Sequence, residues 1–594
     1  MVWKSQDRSW GGAHRLAAAS LLTGLLLACG GGGGGGEEFV SSPPPGPPPA
    51  ELSAAQVDAV RFLTQATFGP TDAEVARVVA MGYSAWLDEQ FAMPAASSHR
   101  ATFEAADAAA RARDPENGAE GDAVINSFYR QALSGPDQLR QRVVFALSQI
   151  LVISMVDNAV SDHPRGVADY LDTLARGAFG NYRNLLEAVS LHPMMGLYLS
   201  HLHNQKEDPA SGRVPDENYA REVMQLFSIG LYELAPDGSM RLGSGAAAET
   251  YTSEDVSGLA KVFTGWSWFG PDTSEARFYG YSSARDPDRE WKPMIDYPRY
   301  HSTSEKRFLG KTASSTSPAA DLKVALDALF AHPNVGPFIG RQLIQRLVTS
   351  NPSPAYVSRV AAAFADNGRG VRGDLRAVVR AVLLDPEARD PAKAADGRFG
   401  KLREPVLRLT AFLRAFGASS DSGGYLLPAT DDPGTQLGQT PLRSPSVFNF
   451  YRPGYVPPNT RAASVSMVVP EMQITHESSV AGYANFMRSA VQNGVGQNGP
   501  DFKAARRDLQ PDYSAELAVA DQSATLVHRV TDKLITGPVS QALRQEIQAG
   551  VDSIAMPLLR VDGSNQQQFD TIKRNRVMLA IYMTLMAPEF IVQK

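Results

Sequence analysis

The chain has 594 residues, 43% of them hydrophobic and 20% charged, a balance that excludes a disordered tail and a chain built largely of membrane spans. Its net charge of −6 offers no basic excess to neutralise phosphates, so nucleic acid is not an expected partner. A single cysteine excludes an internal disulfide, a thiolate-cluster zinc site and a c-type haem attachment, all of which need a second thiol.

That cysteine falls where it is most informative. Lys4, Arg8 and Arg15 give a positive start, residues 16–28 are apolar but too short to span a bilayer, and the stretch ends in Leu26-Leu27-Ala28-Cys29. Residues 1–28 therefore read as a signal peptide, and a small residue before a lone cysteine resembles the bacterial lipobox, in which the thiol is acylated and the chain cut in front of it. The alternative is an ordinary secretory peptide with an incidental cysteine. Removing this segment, which carries three basic residues and Asp7, takes the net charge from −6 to −8. Gly30 to Gly36 and the run Pro43-Pro44-Pro45-Gly46-Pro47-Pro48-Pro49 then make residues 29–50 a tether, first flexible and then stiff. Lipidation at Cys29, with acyl chains such as palmitate, would hold the body on a membrane without a spanning helix. Gly30 is not the aspartate that retains lipoproteins at the inner membrane of well-studied Gram-negative bacteria, so the outer membrane is the expected location.

From residue 51 onward apolar residues recur at helical spacing. Thr71 to Glu74 matches a capping box ahead of Val75, Val78 and Val79. Residues 143–156 are almost wholly apolar, too short for a membrane span and suited to a buried core helix. Further helical patterns cover residues 168–199, 217–230, 256–263, 321–347, 356–364, 374–384, 402–416, 515–534, 541–556 and 571–586. Alternating β-branched runs are missing, so the fold class is mainly α, a large multi-helix body with few or no strands. Residues 267–310 and 419–470, rich in Pro, Gly and aromatic or small polar residues, resist helix assignment and read as long irregular loops. A boundary near residues 390–400 divides the body into parts 51–390 and 391–594, the second carrying the irregular insertion 419–470.

No nucleophile elbow or phosphate-binding loop occurs, and His476-Glu477-Ser478-Ser479-Val480 begins like a zinc-protease motif but lacks its second histidine. The richest segment is Asp216-Glu217-Asn218-Tyr219-Ala220-Arg221-Glu222. Its helix sets Tyr219, Val223 and Phe227 on one face and Asn218, Arg221, Glu222 and Gln225 on a polar flank. That flank is either a solvated face with Glu217 and Arg221 as an i,i+4 pair, or, if buried, part of a site. Thr252 and Asp255 form a helix-start signature, so capping competes with chemistry there. With thiolates unavailable, a divalent metal would have to use imidazole and carboxylate, for which Glu222, Asp255 and His301 are the candidates, although no pair has helical metal-site spacing.

Several phrases in order resemble one bacterial family, catalogued as domain of unknown function 1800. They include Phe68-Gly69-Pro70-Thr71, Leu139-Arg140-Gln141-Arg142-Val143, His192-Pro193-Met194-Met195, Glu217-Asn218-Tyr219-Ala220-Arg221-Glu222, Tyr251-Thr252-Ser253-Glu254-Asp255, Phe263-Thr264-Gly265-Trp266, Ser444-Pro445-Ser446-Val447-Phe448-Asn449-Phe450-Tyr451 and Ala587-Pro588-Glu589-Phe590. The resemblance spans about residues 57–592. It implies a large exported bacterial protein, often encoded beside an exported relative of the sulfatase and alkaline-phosphatase superfamily. It brings no catalytic assignment, and His301-Ser302 departs from the His-Asp that many members have there.

Two functional expectations follow. In the first, the chain is a cell-envelope lipoprotein that binds or helps assemble an envelope partner, such as that sulfatase- or phosphatase-like neighbour, or an envelope polymer. In the second it is an envelope hydrolase, with or without a divalent metal, whose catalytic set is His192, Glu217, Asn218, Arg221, Glu222, Asp255 and His301, Arg221 binding an anionic group and a carboxylate acting as base. The anchor has a direct test: Cys29→Ala is expected to move the protein from the membrane to the soluble fraction on cell fractionation, and full membrane retention would refute lipidation at that residue.

Overall fold

A computed structural model of the protein describes residues 39–40, 51–498 and 506–594. The expected signal peptide, Cys29 and all of the expected tether except Phe39 and Val40 lie outside the described residues. Among those described, 26 α-helices carry the fold, and the strands, none longer than four residues, form small antiparallel pairs and one three-stranded sheet. The protein is mainly α, as the periodicity requires. No described helix is long and apolar enough to cross a membrane.

The chain forms two compact units. The smaller comprises Met1–Pro44 and Pro557–Asp570; in it Phe39 bridges Arg560, and the Val40 amide donates to Leu559 O at 2.7 Å. The larger comprises Pro45–Met556 and Thr571–Lys594. Both sequence-predicted parts, 51–390 and 391–594, contribute to it and interlock. Arg414 donates to Gly69 O (2.7 Å), Gln593 Nε2 to Leu347 O (2.8 Å), and Lys401 Nζ to Arg346 O (3.0 Å).

Local signals explain most helix starts. Ser53 and Gln56 form a capping box, Thr71 accepts from the Glu74 amide, and Thr252 with Asp255 caps the helix Ser253–Val262 reciprocally. Where the sequence suggested one long helix, residues with other duties divide it. The pattern over 168–199 becomes Pro164–Gly177, Tyr182–Ser190 and Pro193–Tyr198, because Asn181 caps the second and Pro193, which cannot donate to a preceding turn, starts the third. The pattern over 321–347 breaks into Pro318–Ala331 and Val335–Leu347 around Asn334, whose fully buried side chain donates to Ile229 O and Tyr232 O and accepts from the Leu234 amide.

The apolar stretch 143–156 corrects the sequence expectation most directly. The helix is Gln138–Ser148, capped at its C-terminus by Gln149, and residues 150–155 run on through the core without helical structure. Tertiary partners satisfy their backbone: the Met155 amide donates to Leu442 O (2.8 Å), Leu151 O accepts from Tyr170 Oη (2.7 Å), and Gln149 O accepts from Arg346 Nη2 (2.8 Å). Residues 267–310 and 419–470 are irregular as expected, holding only short turns of helix and strands of two or three residues. The seventeen-residue helix Glu477–Asn493 was not among the expected elements.

One packing constraint is severe. Gly258, on the helix Ser253–Val262, faces the strand Lys306–Phe308 so closely that a Cβ would sit 1.7 Å from Arg307 O. Gly258→Ala is expected to lose about 2–3 kcal/mol of stability or more, because a backbone atom cannot step aside as a side chain can; a denaturant midpoint equal to that of the wild type would contradict this.

Candidate functional site

The helix Asn218–Gln225 buries Tyr219, Ala220, Val223 and Met224. Its polar flank is split. Arg221 and Glu217 are both nearly half exposed and pair at 3.2 Å, the i,i+4 contact expected from spacing. Glu222 is 7% exposed, and its Oε2 has no hydrogen-bond partner among the described residues. Burial pushes its carboxyl up, and the Arg221 charge pulls it partly back. Asn218 donates its amide to Asp216 Oδ1 (2.8 Å) and its Nδ2 to Ser200 Oγ (3.4 Å).

The other candidates are engaged with the chain itself. Asp255 accepts from the Thr252 amide (2.8 Å), Thr252 Oγ1 (2.9 Å) and the Leu309 amide (2.6 Å), so it ties a helix start to the loop that follows the strand Lys306–Phe308. His192 Nδ1 accepts from the Met194 amide at 3.2 Å, which leaves the ring proton on Nε2, 3.5 Å from Asp169 Oδ2. Burial lowers the His192 imidazole although Asp169 opposes this. His301 has no exposed surface. Its Nδ1 lies 2.8 Å from Thr264 O, and its Nε2 lies 3.0 Å from Asp321 Oδ2, the oxygen that also takes Lys306 Nζ at 2.8 Å. Next to it the buried Ser302 donates to Glu207 Oε1 (3.0 Å), an oxygen that accepts from Ser304 as well.

Part of the set is brought together by backbone. Gly265 donates to Asn204 O (2.8 Å) and accepts from the Tyr297 amide (2.7 Å), while Asn204 clamps the Asp216 main chain through Nδ2 (3.1 Å) and Oδ1 (2.8 Å). Thr264, which holds His301, is thus linked through Gly265 and Asn204 to the segment that starts the Asn218 helix. Only glycine suits position 265: its φ is +76° and a Cβ would lie 2.9 Å from His301 N and Tyr297 O. His201 completes this knot, donating Nε2 to Ser190 O (2.8 Å) and stacking on Tyr219 at 3.9 Å. Glu222, Asp255 and His301 are not gathered as ligands; among the described residues no three His, Cys, Asp or Glu side chains are grouped to hold a metal ion.

A second centre was not singled out as a site from the sequence. Glu404 precedes the helix Pro405–Ala415 and has no exposed surface, and its Oε2 accepts from Gln149 Nε2 (2.5 Å), Gln439 Nε2 (2.6 Å) and Tyr451 Oη (2.9 Å). Arg142, Arg346 and Lys401, all buried, surround it, and Lys401 pairs with buried Glu471 at 3.2 Å. Burial lowers all three cations, with Glu404 and its neighbours opposing, and raises Glu471, with Lys401 opposing. In front of this cluster lies a cleft of about 10 Å³, room for roughly one water molecule, whose walls include Gln149, Gln439, Ser444, Asn449, Phe145 and Leu442. Leu442 and Asn449 both have left-handed backbone, with φ of +61° and +62°. Asn449 belongs to the phrase Ser444 to Tyr451 and Arg142 to the phrase Leu139 to Val143, so the family resemblance was the signal that touched this centre.

A family model described as protein of unknown function (DUF1800) matches residues 61–592. No curated protein and no solved structure matches the chain.

The buried histidines make stability depend on pH. Burial pulls His201 and His203 down to about 4 from an ordinary 6.5. Between those values the unfolded chain binds protons that the folded chain refuses, so their contribution to stability is complete above the upper value and is lost as pH falls towards the lower one. Urea unfolding is expected to show stability falling by about 2 kcal/mol for each ring between about pH 7 and about pH 5, with His201→Phe removing its share of the slope; a flat profile would contradict these assignments.

Proposed function

The chain belongs to the DUF1800 family of proteins of unknown function, and on that footing we propose that it is a cell-envelope lipoprotein, anchored in the outer membrane through Cys29, whose helical body binds or helps assemble an envelope partner or polymer. The signal segment, the lone cysteine and the Gly- and Pro-rich tether support the anchoring. One observation carries the choice of binding over catalysis. The side chains with hydrolytic chemistry are spent on the fold: Asp255 caps a helix and holds Leu309, His192 caps another helix, and both nitrogens of His301 meet acceptors of the chain. A general base needs a lone pair within reach of substrate, and these groups have committed theirs or lie in the core.

A second reading, an envelope hydrolase, draws on Glu222. It is buried beside exposed Arg221, with its carboxyl raised and one oxygen without a partner among the described residues, a combination suited to an acid or base next to an anion-binding group. A divalent metal is no part of what supports that reading.

Incubating the purified full chain with isolated envelope polymer separates the two. The binding reading predicts sedimentation with the polymer, no release of soluble fragments over time, and the same behaviour for Glu222→Gln. Progressive release that Glu222→Gln lowers by about a hundredfold or more would establish the hydrolase instead.

A further inference from the structure

Two exposed tyrosines on the irregular stretch 267–310 are held nearly parallel. The helix Glu275–Phe278 ends at Tyr279; beyond it the Gly280 amide donates to Arg277 O (2.9 Å) and the Tyr281 amide to Ala276 O (2.8 Å), the paired bonds of a helix closed by glycine. Gly280 has a φ of +72°, and a Cβ there would lie 2.7 Å from Trp268 Nε1, so glycine suits the position. This turn sets the Tyr279 and Tyr281 rings 5.8 Å apart with 20° between their planes, while they remain 36% and 56% exposed. Tyr279 is fixed further: its ring meets Phe278 and Tyr300 edge-on at 5.1 and 6.0 Å, and its hydroxyl accepts from Gln205 Nε2 at 3.2 Å. Exposed aromatic surface held in this way has little freedom left to lose on meeting a ligand.

The second observation is electrostatic. Five cations of residues 267–310 pair with a carboxylate: Arg277 with Asp272, Lys292 with Asp288, Arg299 with Glu275, Lys306 with Asp321 and Arg307 with Glu305. The other two, Arg285 and Arg289, have no such partner among the described residues. Instead Arg285 Nε and Arg289 Nη1 both donate to Gly280 O at 3.4 Å, the carbonyl that lies between the two tyrosines. The neighbouring carboxylates are engaged elsewhere: Asp286 accepts from the Asp288 amide (2.9 Å), and Glu290 pairs with His163 (3.0 Å). Two guanidiniums on one oxygen repel each other, and burial together with the Arg285 charge lowers Arg289. Arg289 is 8% exposed and lies 4.3 Å over the Trp268 ring, whereas Arg285 is exposed and keeps its Nη groups for an anion.

From these observations we propose that Tyr281 and Arg285 receive an acidic sugar residue, the C–H face of its ring on the Tyr281 ring that Tyr279 steadies, and its carboxylate on the Arg285 Nη groups. The ring C–H bonds of a pyranose are weakly positive and suit the negative face of an aromatic ring. A planar carboxylate matches the guanidinium fork. This deepens the binding reading and rests on it: the envelope polymer would be a glycan that carries uronic acids.

The test is calorimetric titration of the full chain with short oligomers of galacturonate, glucuronate and mannuronate, with the matching neutral oligomers, and with oligoglutamate as an acid that has no sugar ring. At least one uronate oligomer is expected to bind, and its neutral counterpart and oligoglutamate to bind about tenfold more weakly or not at all. Tyr281→Ala and Arg285→Gln should each weaken uronate binding about tenfold with an unchanged melting temperature, since both side chains are exposed. Tyr281→Phe, which keeps the ring, should bind as the wild type does. Absence of binding by all three uronates, equal binding by Tyr281→Ala or Arg285→Gln, or equal binding of the neutral oligomers or oligoglutamate would each overturn the proposal. Sedimentation of the chain with envelope polymer alongside any of those results would leave the binding reading standing and sink only the acidic-sugar site.

Discussion

A carboxylate without solvent contact has to be met by hydrogen-bond donors or by cations, and the way Glu404 is met organises the larger unit. Its three donors come from the C-terminal cap of the helix Gln138–Ser148, from residue 439 and from residue 451 of the irregular stretch 419–470. Three buried cations compensate its charge, and all three also bond the backbone: Arg142 (2.6 Å) and Lys401 (3.0 Å) donate to Arg346 O, and Arg346 donates to Gln149 O (2.8 Å). Removing one member of such a set leaves a buried charge uncompensated, at a cost of about 3–5 kcal/mol. A long segment with little regular structure is thereby fastened to a helical core, and a small cleft opens where the two meet.

The same economy runs through the knot around Gly265. There the histidines and carboxylates that would serve a hydrolase close helix ends and tie loops together, so that residues 200–208, 264–268 and 296–302 are joined by backbone hydrogen bonds across long sequence separations. Buried side chains used in this way fix one arrangement of loops. A set of loops held in one arrangement on a large helical body is what the proposed binding role would present to a partner.

Much of the fold was legible because its signals are local. The Thr252 and Asp255 cap, the Glu217 and Arg221 pair and the irregular character of residues 267–310 each depend on neighbours within a few positions. What stayed hidden depends on distant partners. The helix over 143–156 ends at Ser148 because Arg346 and Leu442 take up the freed backbone groups, and no window around residue 149 contains that information. Glu404 reads as an unremarkable residue before a proline, since its partners lie 255, 35 and 47 positions away. Of the candidate set, the Asn218 helix and its exposed pair were visible from periodicity, whereas the burial of Glu222 and the double engagement of His301 were not. Periodicity separates an apolar face from a polar flank and leaves open which part of the flank a neighbouring element covers.

The central claim is that Glu404 fastens the irregular segment and the cleft it forms, and native-state hydrogen exchange on Glu404→Gln tests it most directly. The amides of Met155, Arg443 and Asn449, bonded to Leu442 O, Thr440 O and Ser446 O, are predicted to lose protection in the variant while amides of the helix Ser253–Val262 keep theirs. Protection at those three amides equal to that of the wild type would contradict the account.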